Sequence, residues 1–218
     1  LVANPLRHEP GVSAWLDDVH YAGYEQRTTL NLLHPTDGTA AIDLWSVLML
    51  PASGWMIVPT LRPTAVRDYM QPPVAQHTRC APRVVLLRID GEKRFKIGLR
   101  AVNLVGRAGY LRQLADDRWT LVVRNFQVDP SGDYIDPPWD NLAEWGYAFQ
   151  AYNDDGGYGR FGELEYHTPG IGGASGQASR YDVSQVWAFE GSQERIYALT
   201  DVLLGSGVLS TLASIWSE

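Results

Sequence analysis

Cysteine is almost missing from this chain: Cys80 is the only one in 218 residues. That excludes an intrachain disulfide and any cysteine-based metal cluster. Basic charge is also scarce. Lys and Arg number 18 against 25 Asp and Glu, the net charge is −7, and no Lys/Arg-rich run occurs. Nucleic acid is therefore not expected as a partner, because phosphate binding needs a basic patch. No membrane contact is expected either. The longest apolar stretch, Ile42 to Met56, is broken by Asp43, Ser46, Pro51 and Ser53 and cannot span a bilayer. His8, His20, His34 and His77 lack zinc-type spacing, and there is no nucleophile elbow, P-loop or dinucleotide fingerprint. Neither a metal nor an organic cofactor is expected. The N-terminus, Leu-Val-Ala-Asn-Pro, has no basic region, no apolar run and no initiator Met. It reads as the start of a processed, shortened or partial chain, and no compartment is assigned.

What the chain has in quantity is aromatic and turn residues: eight Trp, 11 Tyr, 21 Gly and 13 Pro. Together with many short β-rich runs they predict an all-β fold. Strands are expected at 26–33, 42–50, 55–59, 83–89, 95–99, 118–126, 146–152, 161–167 and 183–189. Turn signals separate them at 35–38, 52–54, 90–91, 116–117 and 154–157. Asp90-Gly91 between two β-rich runs reads as a hairpin. The 42–50 run is apolar on both faces, which predicts burial on both sides and hence layered sheets, a β-sandwich. Ile196, Leu199, Val202 and Leu203 recur at helical spacing after Ser192 and before Gly205, so a helix is expected there. Val208, Leu209, Leu212, Ile215 and Trp216 continue the period and predict a second short helix. With no repeat and no dividing linker, residues 1–218 read as one domain.

Chemistry concentrates at Phe161-Gly-Glu-Leu-Glu-Tyr-His-Thr-Pro169. On a strand, Glu163, Glu165 and His167 share one face and Leu164 and Tyr166 the other. The two carboxylates lie about 6.5–7 Å apart along the strand. Close carboxylates push each other's pKa values apart, which suits acid/base work on a sugar hydroxyl or ring oxygen. Trp139 and Trp145, with Asp136, sit in a proline-stiffened segment suited to stacking on pyranose faces and accepting hydroxyls. A loop plugging the end of a sandwich explains the same residues equally well. Lys96 and Arg100 share a strand face and are candidates for an acidic glycan or for pairing with Glu163 or Glu165. Asp155, in the Asn153–Gly157 stretch, borders the acidic strand, and that stretch reads as a tight turn in preference to a calcium loop.

The succession Leu44-Trp45-Ser46, Gly54 to Thr60, Lys96-Ile97-Gly98, Tyr147 to Asp154 and Phe161 to Pro169 resembles the galactose mutarotase-like (aldose 1-epimerase-like) superfamily, in a bacterial branch. The resemblance covers most of residues 20–205. It implies an antiparallel β-supersandwich with a sugar site on a concave face. It further implies a glutamate that takes the anomeric hydroxyl proton, here Glu165 or Glu163, and a histidine that protonates the ring oxygen. Family members carry a further N-terminal portion supplying catalytic histidines, and neither maps onto His20, His34 or His77. A second chain or segment completing the sandwich is therefore an expected partner, alongside a sugar or glycan. The expected function is mutarotase- or epimerase-type isomerase chemistry with Glu165 as base and Glu163 or His167 assisting. The alternative is a non-catalytic carbohydrate-binding or accessory domain of a polysaccharide-degrading enzyme. A uronate lyase is a weaker third reading.

Overall fold

The computed structural model describes residues 1–34, 40–70, 76–205 and 207–208. Among these, the strands in chain order are β1 (His20–Asn31), β2 (Ala41–Ile42), β3 (Trp45–Pro51), β4 (Gly54–Pro59) and β5 (Arg67–Asp68). They are followed by β6 (Thr78–Ala81), β7 (Val84–Ile89), β8 (Phe95–Leu99), β9 (Arg107–Gln113) and β10 (Arg118–Asn125). The series ends with β11 (Phe149–Asn153), β12 (Phe161–His167), β13 (Ile171–Gly172), β14 (Ser179–Ser192) and one helix, α1 (Gln193–Leu204). The turn expected at 35–38 and most of the second helix expected from Val208 lie outside the described residues.

The fold is an antiparallel β-sandwich. One sheet has seven strands in the order β1-β14-β10-β9-β4-β7-β6, the other five in the order β3-β12-β11-β8-β5, and β13 pairs with β2. Strand alternation decides how the layers meet. Met56, Val58, Val85, Leu87 and Ile89 turn inward from the seven-stranded sheet onto Ile97, Leu99, Phe149, Ala151, Leu164 and Tyr166 of the five-stranded one. The alternate residues Trp55, Ile57, Leu86, Leu111 and Phe189 face the other way and pack under Ile196, Leu199 and Leu203 of α1. Every residue of β4 is consequently buried, as expected of a strand covered on both faces.

Three expectations are corrected. The run 42–50 is not buried on both sides: Trp45, Val47 and Met49 are 57%, 37% and 59% exposed. β3 is an edge strand whose outward face carries no covering layer among the described residues. The turn at Asp90-Gly91 is not a hairpin, because β7 belongs to the seven-stranded sheet and β8 to the five-stranded one. Asn153 of β11 pins it, accepting from the Gly91 amide at 3.1 Å and donating to the Asp90 carboxylate and the Lys93 carbonyl, each at 2.8 Å. The chain is thereby passed between layers instead of folding back. Strand β9 was not expected at all. It lacks β-branched residues, and Gly109 interrupts it because a Cβ there would lie 2.3 Å from Leu204 Cδ1 of the covering helix. The expected helix, by contrast, starts with the Ser192 side chain accepting from the Arg195 amide and stops at Gly205.

A polar cluster crosses the sandwich interior. Arg124, only 1% exposed, donates to Ser46 Oγ at 2.6 Å and lies 4.7 Å over the Tyr166 ring. The Tyr166 hydroxyl donates to the buried Asp182 carboxylate. Buried polar groups stabilise only while partnered, and stranding one costs about 1–3 kcal/mol. Tyr166→Phe should therefore lower the unfolding free energy by about 1–3 kcal/mol. Chemical denaturation would read this as a shifted midpoint with an unchanged slope, and an unshifted midpoint would contradict the account.

Candidate functional site

Because β12 alternates, Gly162, Leu164 and Tyr166 enter the core while Glu163, Glu165 and His167 project from the outer face of the five-stranded sheet. The register sets their neighbours: Glu165 stands opposite Gln150 of β11 and Val47 of β3, and His167 opposite Trp45. Glu163 stands opposite Tyr152, which itself stands opposite Lys96 of β8.

Lys96 reaches across β11 to Glu165, with Nζ 3.0 Å from Oε2. The indole Nε1 of Trp45 donates to the same oxygen at 2.7 Å. The ammonium is also ringed by aromatic faces, at 5.4 Å from Trp45, 5.8 Å from Tyr69 and 5.9 Å from Trp139. Glu165 is 0% exposed and Lys96 8%, so this is a sealed ion pair. Of the two roles expected of Lys96, pairing with Glu165 is the one found, and neighbouring strands thus supply the counter-charge that lets the carboxylate be buried.

His167 is tied by Nδ1 to Asp43 Oδ2 at 2.8 Å, and its ring stacks on Trp45 with planes 9° apart. A carboxylate only accepts, so Nδ1 carries the proton in that bond. Nε2 is left without a hydrogen-bond partner, 3.6 Å from Asp136 Oδ2. Gln150 donates to Asp136 at 2.7 Å and to the Tyr69 hydroxyl at 3.2 Å, while its Oε1 has no partner. Glu165 Oε1 is likewise without one. Three buried polar atoms on two adjacent strands are thus without a hydrogen-bond partner.

Ionisation is graded across the face. Burial first, and the Glu165 charge second, raise the Glu163 carboxyl above its ordinary range. Tyr152 is pushed up to about 12 by burial and by its hydrogen bond to Asp154. Asp154 is otherwise spent on the turn, accepting from the amides of Gly156, Tyr158 and Arg160. Among the described residues no group of His, Cys, Asp and Glu side chains is disposed to hold a metal ion.

Of the residues expected from sequence, Glu163, Glu165, His167, Lys96, Asp136 and Trp139 converge on this face. Arg100 points elsewhere. It donates to Glu144 at 2.7 Å and to the carbonyls of Trp145 and Gly146, stacking on Tyr147 at 4.0 Å. These bonds stiffen the loop that carries Trp139. Trp145 is 60% exposed and meets Arg100 through its backbone carbonyl, away from the cluster. Asp155 pairs with Arg94 at 3.1 Å in the β11–β12 turn. Trp45, Asp43, Tyr69 and Gln150 were not expected as site residues. Trp45 sat in an apolar run that reads as core, and the others gain meaning only from strand register.

A family model matches residues 11–213. The chain belongs to DUF6786, a family of unknown function. No curated protein and no solved structure matches it.

The geometry of this DUF6786 member gives two expected outcomes. Lys96→Met should destabilise by about 3–5 kcal/mol by leaving Glu165 buried and uncompensated, and adding Glu165→Gln should recover most of that loss. Denaturation of both variants checks this, and equal stability of the single and double variants would exclude a buried pair. The second concerns pH. A carboxyl raised in the folded state binds its proton more tightly there. Its stabilising contribution is complete below the ordinary value of 4.5 and is lost as pH rises through the folded value. The stability of the unmodified protein relative to Glu163→Gln should therefore fall as pH rises from 4.5 through the raised folded value. A difference that stays flat over that range would be inconsistent with the shift.

Proposed function

We propose that the outer face of the five-stranded sheet is a carbohydrate site whose chemistry is of the aldose 1-epimerase type. The observation that carries the reading is the set of unpartnered atoms Glu165 Oε1, Gln150 Oε1 and His167 Nε2 beside the half-open rings of Trp45 and Trp139. A sugar ring presents the matching combination. Its hydroxyls satisfy buried acceptors in several directions, and its C–H face lies against an indole.

Anomer exchange needs one group to take the O1 proton and another to give a proton to the ring oxygen. His167 Nε2 is a free lone pair once Asp43 holds Nδ1–H, and Glu163 is biased toward its protonated form. In this reading His167 accepts from the anomeric hydroxyl while Glu163, about 13 Å away along the strand, supplies the O5 proton through a bridging water. The C1–O5 bond breaks, C1=O1 forms, and the aldehyde turns about C1–C2. Reclosure returns both protons. Glu165, expected from sequence to be the base, becomes a charge held in place by Lys96 that adds to burial in raising the proton affinity of Glu163. This exchanges the glutamate and histidine roles implied by the family resemblance, because here burial and the Glu165 charge raise the proton affinity of the glutamate.

The sealing of Glu165 by Lys96 and Trp45 favours a second reading, in which the face binds glycan without turning it over. NMR of freshly dissolved aldoses separates the two. Under the catalytic reading, the protein accelerates anomer exchange, Glu163→Gln or His167→Ala reduces the acceleration about a hundredfold or more, and Trp139→Ala weakens binding. Saturable binding without acceleration would leave the binding module alone. Neither binding nor exchange with any aldose or oligosaccharide would remove both.

A further inference from the structure

A second polar concavity lies on the seven-stranded sheet, which contributes none of Glu163, Glu165 or His167. It is a cleft of about 540 Å³ where the ends of β4, β7 and β9 meet the start of α1. Three guanidiniums line it, from Arg88, Arg112 and Arg160. Arg112 is half-buried, its Nε is buried without a hydrogen-bond partner, and among the described residues it has no carboxylate partner. Arg88 is exposed, and its guanidinium lies 5.7 Å over the Trp55 ring.

The two carboxylates in the same lining do not neutralise these charges. Asp90 is engaged by Asn153 at 2.8 Å and by His77 at 3.2 Å. Glu92 approaches Arg160 only to 3.8 Å, with both side chains more than half exposed. Gln193, the first residue of the 12-residue helix α1, also borders the cleft, and a helix N-terminus adds positive potential. The apolar part of the wall comes from Trp55, Leu111 and Trp119. Two of its members, Ser53 and Arg160, hold left-handed backbone conformations at φ +73° and +57°. Such conformations gather at ligand clamps.

We infer that the Arg112 cleft is a binding site for a small organic oxyanion, a carboxylate or phosphate ester carrying a flat apolar body. The Arg112 guanidinium, whose Nε has no hydrogen-bond partner, takes the anion in paired hydrogen bonds, Arg88 closes over it, and the indole walls hold the body.

Titration of the intact chain with benzoate, phenyl phosphate, inorganic phosphate and phenol, read by calorimetry and by the indole N–H signals of Trp55 and Trp119, tests this. Expected are saturable binding of benzoate or phenyl phosphate with shifts at both indoles, weaker binding of inorganic phosphate, and none of phenol. The stronger of the two aromatic anions identifies the head group. Arg112→Gln should weaken binding about tenfold or more, the loss of a charge-assisted pair. Should that variant not fold, the exposed Arg88→Gln serves in its place with the same expected loss. Absence of saturable binding by either aromatic anion, or affinities unchanged in the folded variants, would overturn the site.

Discussion

The Lys96–Glu165 pair is the constraint on which the candidate site is built. It spans two strand intervals, from β8 across β11 to β12, and is closed by the Trp45 indole from the edge strand. An unpaired carboxylate could not stay at that depth. Once the pair is formed, the other features follow from it. Glu163 sits beside a fixed negative charge, and three aromatic rings gather around one ammonium. The Trp45 ring that caps Glu165 also lies parallel to His167. The site is therefore an electrostatic unit in which each group's state depends on its neighbours.

The layering of the sandwich explains why this unit sits on the outer face of one sheet. The seven-stranded sheet is covered twice, by α1 on one side and by the five-stranded sheet on the other, and spends its apolar residues on both faces. Among the described residues the five-stranded sheet is covered by a sheet on one side only. Its outer face is free to carry charge, with Trp45, Val47 and Met49 left exposed beside it. Loop 126–148 reaches back over that face and delivers Asp136 and Trp139. Its shape is held by Arg100 and Arg67, which both grip Glu144. Residues that look like ligand contacts in sequence can in this way serve as scaffolding for those that are.

Much of the architecture was legible before the structure. Strands 95–99 and 161–167 match their expected limits, as does the helix that ends at Gly205. Local alternation, capping and turn chemistry specify such elements. The failures share one cause. The 42–50 run and the Asp90-Gly91 turn were read from local pattern, but whether a strand is central or at an edge, and whether a turn stays within a sheet, depends on distant partners. Strand β9 escaped because its Gly109 answers to a helix almost a hundred residues away along the chain.

By itself, the sequence determined that the protein is all-β, that it is acidic, and that Glu163, Glu165 and His167 share a strand face, because each follows from composition or from a period of two. Only the tertiary structure decided that Glu165 is sealed by Lys96 while Glu163 is not, that His167 leans on Asp43, and that Arg112 has no carboxylate partner among the described residues. Those outcomes depend on which strands lie side by side. Pairing across a sheet is fixed by the packing of the whole sandwich, and no local run of residues encodes it.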